Sequence, residues 1–198
     1  MYRFIETIRL EEGKAWNMAY HNRRLNETRF SIWGDIPFLS LEEVITPQGY
    51  KQRTRCRVVY GKDIEDISYI PYSIRPVSSL KLVYCDDIDY ALKRADRSVL
   101  DSLFALRGEM DDILIVRNGK LTDTSIANIA LWNGKEWHTP SCPLLKGTCR
   151  QSLLDHGLIR EKDVTVDDLT LYSKIRLFNA MLPFGEIELD CSRAGTIR

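Results

Sequence analysis

The chain has 198 residues and a mass of 23.0 kDa, enough to bury a sizeable core as one compact unit or as two small lobes. Lysine plus arginine equals aspartate plus glutamate at 28 each, so no overall field recruits nucleic acid or an anionic membrane, and a small molecule is the expected partner. No apolar run approaches bilayer length, and the first six residues carry charges where a signal peptide needs an apolar core. The five cysteines are odd in number and lack a C-x-x-C pair, which indicates neither a disulfide framework nor zinc; a cytoplasmic protein with reduced thiols is expected.

In chain order, residues 4–10 alternate apolar and polar as a half-buried strand does, and Glu11-Glu12-Gly13-Lys14 turns the chain into a second strand at 15–18. A helix is expected from Tyr20 to Trp33, stopped by Gly34. Ser40 can cap a short helix over 39–45 that Pro47-Gln48-Gly49 closes. In the strand at 53–60, Arg53, Arg55 and Arg57 alternate with Thr54, Cys56 and Val58, so one strand face is basic. Strands at 66–72 and 80–84 follow. The stretch joining them, extended to Asp86-Asp87, is the expected lobe boundary, dividing the chain into 1–86 and 87–198.

An apolar stripe of Ile88, Leu92, Ala95, Val99, Leu103 and Leu106 fits a helix over 88–106, on which Lys93 would be ordinary solvated surface. A buried strand at 112–116 leads into the hairpin turn Asn118-Gly119, with Asp123 just beyond it and a strand at 126–132 to follow. A second turn at Asn133-Gly134 precedes the segment 137–140. Gly147-Thr148 then introduces a helix over 149–156 that buries Leu153 and Leu154 and ends at Gly157; the N–H groups at its start, with Arg150 near, make a phosphate site. Asp167 opens a short helical segment, and a strand at 174–178 ends in Asn179-Ala180. On residue types alone, Asp123 reads as a turn carboxylate and Arg24 as a solvated helix charge. His21 and His138 lack a cysteine or carboxylate at ligand spacing, so no metal site is expected, and Ser125 lacks the glycine-flanked elbow of a hydrolase.

The order Lys93, Asp123 to Asn128, and Leu145-x-Gly147-Thr148-x-Arg150, preceded by His21-x-x-Arg24-Leu25, resembles the class IV aminotransferases, the fold type IV pyridoxal phosphate enzymes. That family includes branched-chain and D-amino acid aminotransferases and 4-amino-4-deoxychorismate lyase. Lys93-x-x-x-Arg97 and Asn179-Ala180-Met181-Leu182-Pro183 are most similar to the lyase branch.

The resemblance implies an α/β (α+β) fold of the D-amino acid aminotransferase type, two-lobed and usually homodimeric, with pyridoxal 5'-phosphate in the cleft. It implies that Lys93 lies ahead of a helix starting near Asp96, bonds to the cofactor aldehyde and then moves a proton at the substrate α-carbon. That work needs a neutral amine, which burial and the neighbouring Arg97 favour. Arg24, the N–H groups of Thr148 and Cys149 after Gly147, and Asn128 would hold the phosphate, and Arg97 is a further implied cofactor contact. Asp123, standing where the family normally has glutamate, would face the ring nitrogen. Thr7 and Asn179 are the implied substrate contacts, and Tyr60-Gly61-Lys62 replaces the arginine-glycine loop that meets substrate carboxylates in relatives. The implied reaction is elimination of pyruvate from 4-amino-4-deoxychorismate to give 4-aminobenzoate. Ser98, five residues after the lysine where many transaminases carry tyrosine, favours that reaction over amino acid transamination; a non-catalytic ligand-binding relative is the third possibility.

Overall fold

The computed structural model describes residues 2–198, and the chain folds as two compact units, one of residues up to 74 together with 92–96, the other of 75–91 together with 97–198. The boundary expected near Asp86-Asp87 lies inside the second unit. Lys93 belongs to the first unit, where the expectation put it in the C-terminal lobe. Main-chain pairing is the reason: Arg94 bridges Phe4 in antiparallel register, the Ile5 N–H donates to the Lys93 carbonyl at 2.9 Å, and the Ala95 N–H donates to the Arg3 carbonyl at 2.9 Å.

The first unit is an antiparallel sheet of β1 (Phe4–Glu11), β2 (Lys14–Ala15), β3 (Thr54–Tyr60) and β4 (Ile64–Pro71), in the order β2-β1-β3-β4. The helix α1 (Met18–Trp33) covers one face. The expected second strand is cut to two residues because Asn17 takes φ 57°, the left-handed region in which asparagine is tolerated, and α1 starts immediately after it. Period-two alternation sends Phe4, Ile8 and Leu10 from β1 and Cys56, Val58 and Tyr60 from β3 to the helix side, where they pack with Leu25 of α1 and are fully buried. Buried Arg29 ties α1 to its surroundings by donating to Asn26 Oδ1, the Pro37 carbonyl and the Lys62 carbonyl. Only a 3-10 turn, Leu41–Glu43, forms behind Ser40, whose side chain does not cap it.

The second unit is built on β5 (Leu80–Tyr84), β6 (Asp112–Arg117), β7 (Lys120–Thr124), β8 (Asn128–Trp132), β9 (Trp137–Pro140) and β10 (Arg160–Lys162), in the order β10-β9-β8-β7-β6-β5. Two later strands, β11 (Lys174–Phe178) and β12 (Ile187–Asp190), extend it from β8. The parallel pairs β5-β6 and β9-β10 require crossovers, which carry α2 (Ser98–Ala105) and α3 (Thr148–Asp155). Asn118 and Gly119, at φ 50° and 73°, make the tight β6-β7 turn. The stripe over 88–106 is not one helix. Ile88 and Tyr90 are buried in irregular chain beside Val83, Leu100 and Ile115, while Leu92 packs into the first unit's core. The helix begins at Ser98 with Arg97 at its cap position, two residues beyond the expected start.

Candidate active site

In the first unit the deciding feature is a carboxylate in an apolar register. Phe4, Glu6, Ile8 and Leu10 share one face of β1, and all four are fully buried. Glu6 survives there because α1 supplies partners at i and i+3: His21 Nδ1 stands 2.6 Å from Glu6 Oε2, and Arg24 donates from Nε to Oε1 at 2.9 Å and from Nη2 to Oε2 at 2.6 Å. Burial pushes the Glu6 carboxyl up, yet the Arg24 charge and the bond from His21 outweigh it and bring it down to about 2. Burial lowers His21 below its ordinary value against the pull of Glu6, and the charges of Arg24 and Lys93 lower it further. A neutral His21 therefore donates its Nδ1 proton to an ionised Glu6. Arg24, expected on a solvated helix face or on a cofactor phosphate, commits its fork to Glu6.

Lys93 lies in the same neighbourhood. It is half-buried, outside any helix, beside Ile5 in the register set by the Phe4–Arg94 bridge, and its charge is felt at His21. Thr7 is half-buried on β1, opposite Arg57 of β3. Glu6 and His21 were absent from the expected site. The signal for Glu6 was available, since its position falls in phase with Phe4, Ile8 and Leu10.

In the second unit Asp123 and Asn128 are cross-strand partners on β7 and β8, both buried. Asn128 Nδ2 donates to Asp123 Oδ1 at 3.0 Å and to the Leu145 carbonyl at 2.9 Å, and the Leu145 N–H donates to Asp123 Oδ2 at 2.9 Å. The pair thereby clamps the loop that delivers Gly147 to the start of α3. Gly147 has to be glycine: an added Cβ would overlap Asn128 Oδ1. Burial pushes the Asp123 carboxyl up to about 6, against the bonds from Leu145 and Asn128 and the charge of Arg150. Asp123 is a buried strand residue with both oxygens engaged, and not an edge carboxylate.

Thr148 and Cys149 form the first turn of α3 behind Gly147 at the cap position, and both are buried. Arg150, expected to serve an anion there, turns elsewhere: it is buried, with Nη2 on the Pro140 carbonyl at 2.8 Å and on Glu161 Oε1 at 2.7 Å. Arg97 and Asn179 converge on the turn before β8, Arg97 Nη2 donating to the Ser125 carbonyl at 2.9 Å and Asn179 Nδ2 to the Ile126 carbonyl at 3.0 Å. Asn179 Oδ1 also accepts the N–H groups of Met181 and Leu182. Both side chains thus hold backbone in place.

Each unit carries groups of the kinds pyridoxal phosphate needs. The first has an amine outside a helix, suited to an aldehyde; the second has a buried carboxylate raised to about 6, suited to a ring nitrogen, and a helix start behind a glycine, suited to phosphate. Among the described residues no group of three or more histidine, cysteine, aspartate or glutamate side chains is arranged to hold a metal ion, and no helix is long and apolar enough to cross a membrane.

Residues 86–188 match the family described as amino-transferase class IV. An uncharacterized protein of Haemophilus influenzae is 38% identical over 186 residues, 91% of this chain and 98% of its own length. Among solved structures, a chain from Haemophilus somnus provisionally assigned as a 4-amino-4-deoxychorismate lyase superposes with a TM-score of 0.85 at 33% identity, covering 92% of this chain and 98% of that one. The branched-chain amino acid aminotransferase of Escherichia coli shares the fold, with a TM-score of 0.70 at 15% identity over 92% of this chain and 74% of that one.

Proposed function

The chain belongs to the amino-transferase class IV family, and from that premise we propose that it is a pyridoxal phosphate enzyme that eliminates pyruvate from 4-amino-4-deoxychorismate to leave 4-aminobenzoate. The observation that carries this reading is the 33% identity to the Haemophilus somnus chain over 98% of that chain's length. Bound pyridoxal phosphate supplies an aldehyde that condenses with amines and a ring that draws electrons from the neighbouring carbon.

The chain's own residues do the rest. Lys93 would hold the cofactor through Nζ and, with substrate bound, would accept the proton of the amine-bearing substrate carbon. Loss of that proton lets the carbon–oxygen bond to the enolpyruvyl group break, and pyruvate departs as the ring becomes aromatic. Asp123 would be the carboxylate that serves the ring nitrogen, and a positive partner there would draw the buried carboxyl to its ionised form. The start of α3 at Thr148 and Cys149, the positive end of that helix, would hold the phosphate, and Arg24 would add its positive charge. Thr7 is the substrate contact that keeps an uncommitted role. The expected assembly is a homodimer in the cytoplasm.

The test has two stages. Protein incubated with pyridoxal phosphate gains a visible absorbance band that borohydride bleaches, leaving the cofactor's mass on the peptide containing Lys93; Lys93→Ala abolishes both. Loaded enzyme then releases pyruvate from 4-amino-4-deoxychorismate without transferring its amino group to a 2-oxo acid. Amino transfer in place of pyruvate release would make it a transaminase, and a loaded protein doing neither would defeat both reactions.

A further inference from the structure

The sheet of the first unit has a second face, the one away from α1, and its chemistry is unlike that of an ordinary solvated surface. Register pairs Thr7 with Arg57 and Arg9 with Arg55 across β1 and β3, while Ser68 and Ile70 of β4 stand opposite Arg57 and Arg55. Alternation sends Thr54, Cys56, Val58 and Tyr60 to the core, so Arg55 and Arg57 share the opposite face with Thr7 and Arg9. Arg9 and Arg55 are thus like charges directly across a strand pair, an arrangement that opposes folding unless something negative lies between them.

The carboxylate present on that face is spoken for. Glu11 lies 3.6 Å from Arg9 and 3.2 Å from Arg53. Among the described residues Arg55 and Arg57 form no ion pair, and Asp66, the next acid on the face, stands opposite Val59. Both arginines are half-buried, and Arg55 Nε is buried without a hydrogen-bond partner. A guanidinium held in this way presents fixed donors suited to the two oxygens of a carboxylate. The same sheet carries the amine: Lys93 stands beside Ile5, two residues along β1 from Thr7, whose cross-strand neighbour is Arg57. Strand spacing puts the Cα atoms of Lys93 and Arg57 about 11 Å apart, a gap that two long side chains and one small molecule can span.

From this juxtaposition we infer that Arg55 and Arg57 are substrate-binding residues, and that the substrate class is a small dianion with two carboxylates, one of them held on the face of the β1-β3 sheet away from α1. The inference rests on the proposed reading for the identity of the reacting amine but adds residues that reading left unassigned. 4-Amino-4-deoxychorismate has two carboxylates, whereas most amino acids offer one. The replacement of the arginine-glycine loop by Tyr60-Gly61-Lys62 is accounted for if anion recognition has moved from the end of β3 to its middle.

The test compares benzene-1,3-dicarboxylate with benzoate as calorimetric probes on cofactor-loaded protein and on protein without added cofactor. Arg55→Met and Arg57→Met are each expected to weaken the dicarboxylate at least tenfold and benzoate less than threefold, with Arg57→Lys restoring part of the loss. Without any anion the Tm of Arg55→Met holds or rises, since its like-charge contact with Arg9 is removed, and a purely structural arginine would give the opposite result. In turnover the KM for the two-carboxylate substrate rises while kcat changes little. Dicarboxylate that fails to bind the native protein, or binds the variants as tightly, overturns the proposal, as does a fall in the Tm of Arg55→Met. Loss of the absorbance band in native protein instead sinks the cofactor reading and leaves the probe measurement standing on its own.

Discussion

Glu6 shows how much one position can carry. A carboxylate in the middle of an apolar strand face costs several kcal/mol to desolvate, and the fold repays that with a two-point bond from Arg24 and a third from His21. Removing one partner leaves the other stranded. Glu6→Gln should lower the stability of the first unit by about 3–5 kcal/mol, because the half-buried Arg24 fork loses the carboxylate it grips at two points. Replacing the pair together by Glu6→Leu and Arg24→Met should restore at least half of that loss, since the site then closes as ordinary core. Urea unfolding of the two variants checks this, and a double variant no better than Glu6→Gln would show that the bond from His21 carries the site. The residue types did not announce this pair: His21-x-x-Arg24 reads as a phosphate motif, and only the phase of Glu6 along β1 places it inside.

At the scale of elements, the start of α3 is fixed by two strands before it. Asn128 lies where a side chain on Gly147 would go, and it cannot swing aside without giving up its bonds to Asp123 and the Leu145 carbonyl. Gly147→Ala should therefore cost about 2–4 kcal/mol, the worth of two buried hydrogen bonds left unmade. In an Asn128→Ala background the same substitution should cost less than about 1 kcal/mol, because the obstacle is gone. A double-mutant cycle measured by denaturant unfolding reads the coupling, and two independent penalties would disprove it. Most strands were legible because turns such as Asn118-Gly119 and runs such as 112–116 announce themselves through local chemistry. The stripe over 88–106 misled for a non-local reason. Its apolar residues serve two different cores, with Leu92 in one unit and Ile88 and Leu100 in the other, and periodicity cannot tell which core a residue faces. For the same reason the bonds of Arg97 and Asn179 were not legible, since the carbonyls of residues 125 and 126 that they hold lie far off in sequence.

On the scale of the molecule, the two units carry buried titrating groups of opposite sign of shift, and their stabilities should move in opposite directions with pH. In the first unit Glu6 is held down at about 2 from an ordinary 4.5, and His21 is held below 6.5. Both are less protonated folded than unfolded, so their contribution is complete above about 6.5 and is lost as pH falls through that value and then through 4.5 toward 2. In the second unit Asp123 is raised from 3.8 to about 6 and is more protonated folded than unfolded. Its contribution is complete below 3.8 and disappears as pH rises through 6, by up to about 3 kcal/mol at 1.36 kcal/mol per pH unit. Between pH 4 and pH 7, protein without added cofactor should gain protection of slow amides such as Val58 and Ile8 and lose protection of Ile129 and Ala130. Hydrogen exchange followed by mass spectrometry, with opening free energies compared across that range, resolves the two. Adding pyridoxal phosphate should flatten only the second slope, because a protonated ring nitrogen beside Asp123 stabilises its ionised form and removes the cost of deprotonation. Parallel slopes in the two units would show that these three groups do not govern the pH response, and an Asp123→Asn variant that still loses protection of Ile129 would locate the cause elsewhere in the second unit.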